Sequence, residues 1–104
     1  MSTDKEQGFT KAPNELYDAL LRKKLSPSQL CTVLYIIRKT YGFHKEEDSI
    51  SVRKMAEETG YSRQAMINAV RDLEKMGVIK TGYRQAGRPT NMLVTNPELW
   101  NAKL

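Results

Sequence analysis

The sequence predicts a mainly α-helical fold completed by a small β-hairpin, with three to four helices and a two- or three-stranded sheet. Three observations carry that expectation. Apolar residues recur at spacings of three and four between helix start and stop signals. Two of the helical stretches are separated by only Gly60 and Tyr61, as in a helix-turn-helix. After Gly77 the pattern gives way to two β-prone runs joined by turn formers. At 104 residues the chain is sized for one core and is short for an enzyme that must also enclose a substrate.

Residues 1–10 are polar and aperiodic, which predicts a flexible arm ahead of a single domain over residues 11–104. "PNELYDALLRKK" sets Leu16, Ala19 and Leu20 on one helical face and ends in Arg22, Lys23 and Lys24, where cations complement the helix dipole. In "LSPSQLCTVLYIIRKTYGF", Ser26, Pro27 and Gln29 form a capping-box start. Leu30, Val33, Leu34, Ile37 and Tyr41 are the expected core stripe of that second helix, with Ile36 as a further buried flank, Cys31 as a buried reduced thiol and Gly42 as the stop. Beyond the charged turn "HKEED", Ser49 to Ser51 reads as a brief strand, and Ser51 caps a helix carrying Met55, Ala56 and Thr59 that Gly60 stops. A last helix runs from Ser62 with Met66, Ala69, Val70 and Leu73 inward, and Gly77 caps its end. "VIKTGY" and "NMLVTN", linked by "RQAGRPT", read as the hairpin, and "PELWNAKL" adds a turn whose Trp100 and Leu104 pack back. No internal repeat or low-complexity tract interrupts this order.

Three helices, the last two forming a helix-turn-helix, followed directly by a hairpin, describe a winged helix-turn-helix. Small Ala56 lets the two helices approach, Gly60 four residues on suits a left-handed turn, and Met66 six further on anchors the core. If the stripe of the last helix faces inward, Arg63, Gln64, Ile67, Asn68 and Arg71 face outward. Arg binds guanine bidentately, Asn and Gln bind adenine, an apolar side chain touches a thymine methyl, and Ser62 at the helix start suits a phosphate. A merely solvated face is more often built from Glu and Lys, the reading that fits Asp72, Glu74 and Lys75. In the hairpin, Lys80, Arg84 and Arg88 are the charged residues, with Tyr83, Gln85, Thr90 and Asn91 near its tip, and no acid lies among them in sequence. They suit phosphate contact, against the plainer role of charges that protect a sheet edge.

The bulk numbers agree. Seventeen basic against twelve acidic side chains, a net charge of +5, favour an anionic partner. One His and one Cys leave no credible zinc site, disulfide or Cys/His nucleophile pair, and neither a Ser/His/Asp set nor a phosphate-cradling glycine loop is present. Neither catalysis nor a cofactor or metal is expected. No apolar run reaches the roughly eighteen residues of a membrane span and "MSTDKEQ" has no signal-peptide centre, so a cytoplasmic protein without a membrane role is expected.

"IIRKTYGFHKEEDSIS" joined to the helix-turn-helix, and preceded by "GFTKAPNELYDALL", resembles the N-terminal domain of the bacteriophage replication protein O family over roughly Gly8 to Ile79. The resemblance implies a winged-helix domain that binds repeats in a phage or prophage replication origin, as a homodimer on inverted repeats. It also implies recruitment of a helicase or helicase loader through a C-terminal region that lies beyond Leu104. Ser62, Arg63, Gln64 and Asn68 occupy its recognition-helix positions; the hairpin after Ile79 matches no pattern of that family. The expectation is therefore sequence-specific binding of double-stranded DNA at such an origin. A small winged-helix transcriptional regulator is the nearest alternative, and a winged helix used only to dock protein in a replication complex is the alternative of a different kind.

Overall fold

The computed structural model describes residues 8–82 and 88–100. Four α-helices and three short strands follow one another as α1 (Asn14–Lys23), α2 (Pro27–Thr40), β1 (Asp48–Ile50), α3 (Val52–Thr59), α4 (Arg63–Lys75), β2 (Ile79–Thr81) and β3 (Thr90–Val94). Single 3-10 turns at Tyr41–Phe43 and Pro97–Leu99 complete the order. The sheet is antiparallel throughout, with β3 in the middle and β1 and β2 on its two edges.

Local signals account for most helix ends. Ser26 and Gln29 close both halves of the capping box, Ser26 Oγ accepting from the Gln29 N–H at 3.3 Å and Gln29 Oε1 accepting from the Ser26 N–H at 3.0 Å. Ser51 and Ser62 cap α3 and α4 by accepting from the N–H groups of Lys54 and Ala65. Gly60 leaves α3 at φ 87° with open space around the position of a Cβ, so the backbone angle and not crowding favours glycine there. At the end of α4 the N–H of Val78 reaches the carbonyl of Leu73 and that of Gly77 reaches Glu74, a Schellman closure with Gly77 at φ 78°.

α2 is the central helix, touching α3, α4, β1 and β3. Its Val33, Ile36 and Ile37 share one buried core with Leu16 and Leu20 of α1, Met55 of α3, and Met66, Val70 and Leu73 of α4, while Ile50, Ile79, Met92 and Val94 contribute from the sheet. The inner stripes of α1 and α4 are buried as the periodicity predicts. Two expectations for α2 are corrected. Leu30 and Leu34 stay 36% and 45% exposed, Cys31 is half-buried, and Thr32 and Thr40 take the interior places. Threonine is tolerated there because each hydroxyl donates to the carbonyl four residues earlier, Ser28 and Ile36 respectively. Nor does Gly42 stop the helix; the chain passes through the 3-10 turn and reverses at His44, φ 58°. Gly42 is instead a close-approach site, where a Cβ would stand 3.0 Å from both Arg38 Nη1 and Thr10 Oγ1.

The brief strand before α3 is real but begins one residue earlier than the sequence suggests, and its partner is β3, with Ser49 opposite Asn91. Trp100 folds back, half-buried, and donates from Nε1 to the Thr95 carbonyl at 3.3 Å; Leu104 lies outside the described residues. Among the described residues no helix is long and apolar enough to cross a membrane. The expected arm over residues 1–10 falls mostly outside them; Thr10, at its end, lies close to Gly42. The whole is a winged helix: a helix-turn-helix of α3 and α4 followed by the hairpin of β2 and β3.

Candidate nucleic-acid interface

α4 owes its position to three sets of contacts. Met66, Ala69, Val70 and Leu73 are each at most 2% exposed and fix its inner face. Thr32 Oγ1 and Thr59 Oγ1 lie 3.6 and 3.8 Å from Met66 Sδ, so the anchoring methionine is gripped from α2 and α3 together. Gln29, having capped α2, also donates from Nε2 to Asp72 Oδ2 of α4 at 3.3 Å. Asp72 thus turns toward α2 and does not form the exposed local pair expected of it. Joining residues 43 positions apart, this tie lies beyond the reach of sequence spacing.

With its inner face fixed, α4 turns its opposite face outward. Arg63, Gln64, Asn68 and Arg71 are exposed, and Ile67 is half-buried between them. Gln64 Nε2 donates to Asn68 Oδ1 at 3.0 Å, one turn apart. Ser62 is exposed at the helix start, its oxygen engaged by Ala65 N–H while its hydroxyl hydrogen remains able to donate. These six residues are brought together as one surface.

The hairpin is placed differently. Lys80 is exposed on β2 opposite Leu93, and Arg88 is exposed just before β3, while Arg84, Tyr83 and Gln85 lie outside the described residues. Thr90 is buried, and Asn91 donates to Glu47 Oε2 at 3.0 Å, so neither serves as a free group near the tip. Thr81 likewise donates to the carboxylate of Glu74. The expected absence of acids therefore holds along the hairpin but not in space, because β1 brings Glu47 alongside β3. Among the described residues no carboxylate comes within ion-pair distance of Arg63, Arg71, Lys80 or Arg88.

Several charges elsewhere are engaged. Arg53, at the start of α3, approaches Glu57 at 4.0 Å, and Lys45 pairs with Asp48 at 3.2 Å. Lys39 reaches Glu58 at 3.9 Å and lies over the Tyr35 ring at 5.3 Å. Burial first, then a hydrogen bond to Glu58 and the charges of Glu58 and Asp48, push the Tyr35 phenol up to about 12. Among the described residues no three His, Cys, Asp or Glu side chains cluster as metal ligands would.

The model of the bacteriophage replication protein O family matches residues 1–94. The chain belongs to that family. The DNA replication protein gp18 of Salmonella phage P22 is 34% identical over 87 residues, a match covering 84% of this chain and 32% of that protein. Replication protein O of Escherichia phage lambda is 31% identical over 77 residues, covering 74% of this chain and 23% of that protein. The chain thus spans about a third or less of the curated relatives it matches. Among solved structures, an S. aureus MepR mutant bound to an oligodeoxyribonucleotide aligns with a TM-score of 0.55 at 17% identity, covering 86% of this chain and 62% of that one. The transcriptional regulator PA3341 aligns with a TM-score of 0.52 at 20% identity, covering 79% and 56%. At these identities the two establish the winged-helix fold.

Proposed function

We propose that this domain is a non-enzymatic reader of double-stranded DNA at a phage or prophage replication origin, acting in the bacterial cytoplasm. The observation that carries the reading is the outer face of α4: Arg63, Gln64, Asn68 and Arg71 stand exposed, without carboxylate partners among the described residues, on a helix whose opposite face is locked into the core. Such a helix fits the major groove, where arginine and amide side chains match base edges and the hydroxyl of Ser62 reaches a phosphate. Lys80 and Arg88, with Arg84 between them in the sequence, neutralise phosphates and orient the domain without reading sequence. Membership of a phage replication family supports the origin as the place of action. Two copies on inverted repeats complete the reading, and helicase or loader recruitment is assigned to none of these residues.

The test is fluorescence anisotropy of origin and random-sequence duplexes across a salt series. Phosphate contact through three to six basic residues gives a log–log salt slope of about −3 to −5 per bound domain. The reading expects that slope together with preference for the origin duplex. Absence of duplex binding at low salt overturns it in favour of a protein-docking module.

A further inference from the structure

Gln64 and Asn68 stand one turn apart on the outer face of α4, both exposed, and are joined amide to amide at 3.0 Å. A primary amide carries one acceptor oxygen and one donor NH2. Pairing two amides through a single bond engages the donor of one residue and the acceptor of the other. The groups left over are a carbonyl oxygen from one residue and an NH2 from its neighbour. Exchanging oxygen and nitrogen in both amides changes only which residue supplies which, so the outward pattern of one acceptor and one donor is independent of amide orientation.

Base edges in the major groove differ in how they meet that pattern. Adenine offers the N6 amino donor beside the N7 acceptor, complementary to an acceptor beside a donor. Guanine offers two acceptors, O6 and N7, which sets the free carbonyl against a lone pair. Cytosine presents its amino donor without an adjacent acceptor, and thymine presents an acceptor beside a methyl. Half-buried Ile67, the residue before Asn68, supplies the apolar surface that suits such a methyl.

Resting on the DNA-binding reading above, we propose that Gln64 and Asn68 act as one coupled unit that selects the adenine of an A·T pair, with Ile67 against a thymine methyl. Coupling has a consequence that two independent contacts lack. Loss of either amide frees its neighbour to rotate, so removing the second costs little more than removing the first.

The test is selection from duplexes with a randomised central segment, using the 104-residue chain, Gln64→Ala, Asn68→Ala and the double variant, followed by sequencing of the bound fraction. Both side chains are exposed, and thermal unfolding checks that the variants keep the fold. The wild type should fix an A·T pair at one position, where other pairs bind about tenfold to a hundredfold more weakly. All three variants should relax that position to the same extent while other preferences persist. Replacing that adenine by 7-deazaadenine should weaken binding of the wild type, a readout that needs no variant to fold. A selected sequence with no position relaxed by both single variants, or relaxed at different positions by each, overturns the coupled unit and leaves DNA binding standing. Recovery of duplexes without any sequence preference overturns the coupled unit and the origin-reading role together, leaving only non-specific duplex binding. Recovery of none at low salt overturns both readings.

Discussion

α4 and the hairpin of β2 and β3 both lie on the surface with basic residues, yet they spend their polar groups in opposite ways. On α4 the interior takes apolar side chains, and on the face that carries Arg63 and Arg71 the amides of Gln64 and Asn68 bond to each other. On the hairpin most polar groups hold the fold: Asn91 ties to Glu47, Thr81 to Glu74, and Thr90 is buried. What the hairpin leaves outward among the described residues is positive charge, Lys80 and Arg88. Under the proposed function this difference becomes a division of labour, in which a helix with free hydrogen-bonding groups reads sequence and a hairpin with free charge grips the backbone.

The most damaging way to break the comparison is through the shared core. Met66→Ala removes a side chain with no exposed surface and should cost about 2–5 kcal/mol in urea unfolding, weakening binding through loss of the fold. Arg63→Ala, on the same helix but exposed, should leave stability within about 0.5 kcal/mol and still lose about 1–3 kcal/mol of discrimination at one base pair. Equal destabilisation by the two would remove the distinction between the faces of α4.

A smaller effect sharpens the hairpin side. Asn91→Ala breaks an exposed hydrogen bond and should cost about 1 kcal/mol or less, with Glu47→Ala adding little in the double variant. The smallest effect lies away from both surfaces. Because the Tyr35 phenol is pushed up to about 12 in the fold, its neutral form is favoured there. Its contribution is therefore present below the ordinary tyrosine value near 10 and lost as pH rises from there through about 12. Unfolding monitored across that window should show a steeper alkaline loss in the wild type than in Tyr35→Phe; parallel profiles would exclude Tyr35 ionisation as its source.

The α4 surface was legible in sequence because everything that sets it is local: the Ser62 cap, the stripe from Met66 to Leu73 and the Gly77 closure all act within a few residues. α2 was less legible for a physical reason. Its leucines 30 and 34 sit at helical spacing as convincingly as Val33 and Ile37, and the choice of face is made by packing against α4 and β3, with threonine hydroxyls satisfied inside their own helix. The Asn91–Glu47 and Gln29–Asp72 contacts join residues more than forty positions apart, beyond the reach of spacing rules. Gln64–Asn68, by contrast, is an i,i+4 amide pair that the sequence already displayed.

The most direct test of the division of labour is the ratio of affinities for a preferred and a random duplex, measured across a salt series for the wild type, Arg63→Ala and the Lys80→Ala/Arg88→Ala double variant. The account predicts that Arg63→Ala shrinks the ratio, whereas the double variant weakens both duplexes alike, keeps the ratio and flattens the salt slope by about 2. A double variant that abolishes the ratio while Arg63→Ala leaves it intact would contradict the account, placing sequence recognition in the hairpin and not in α4.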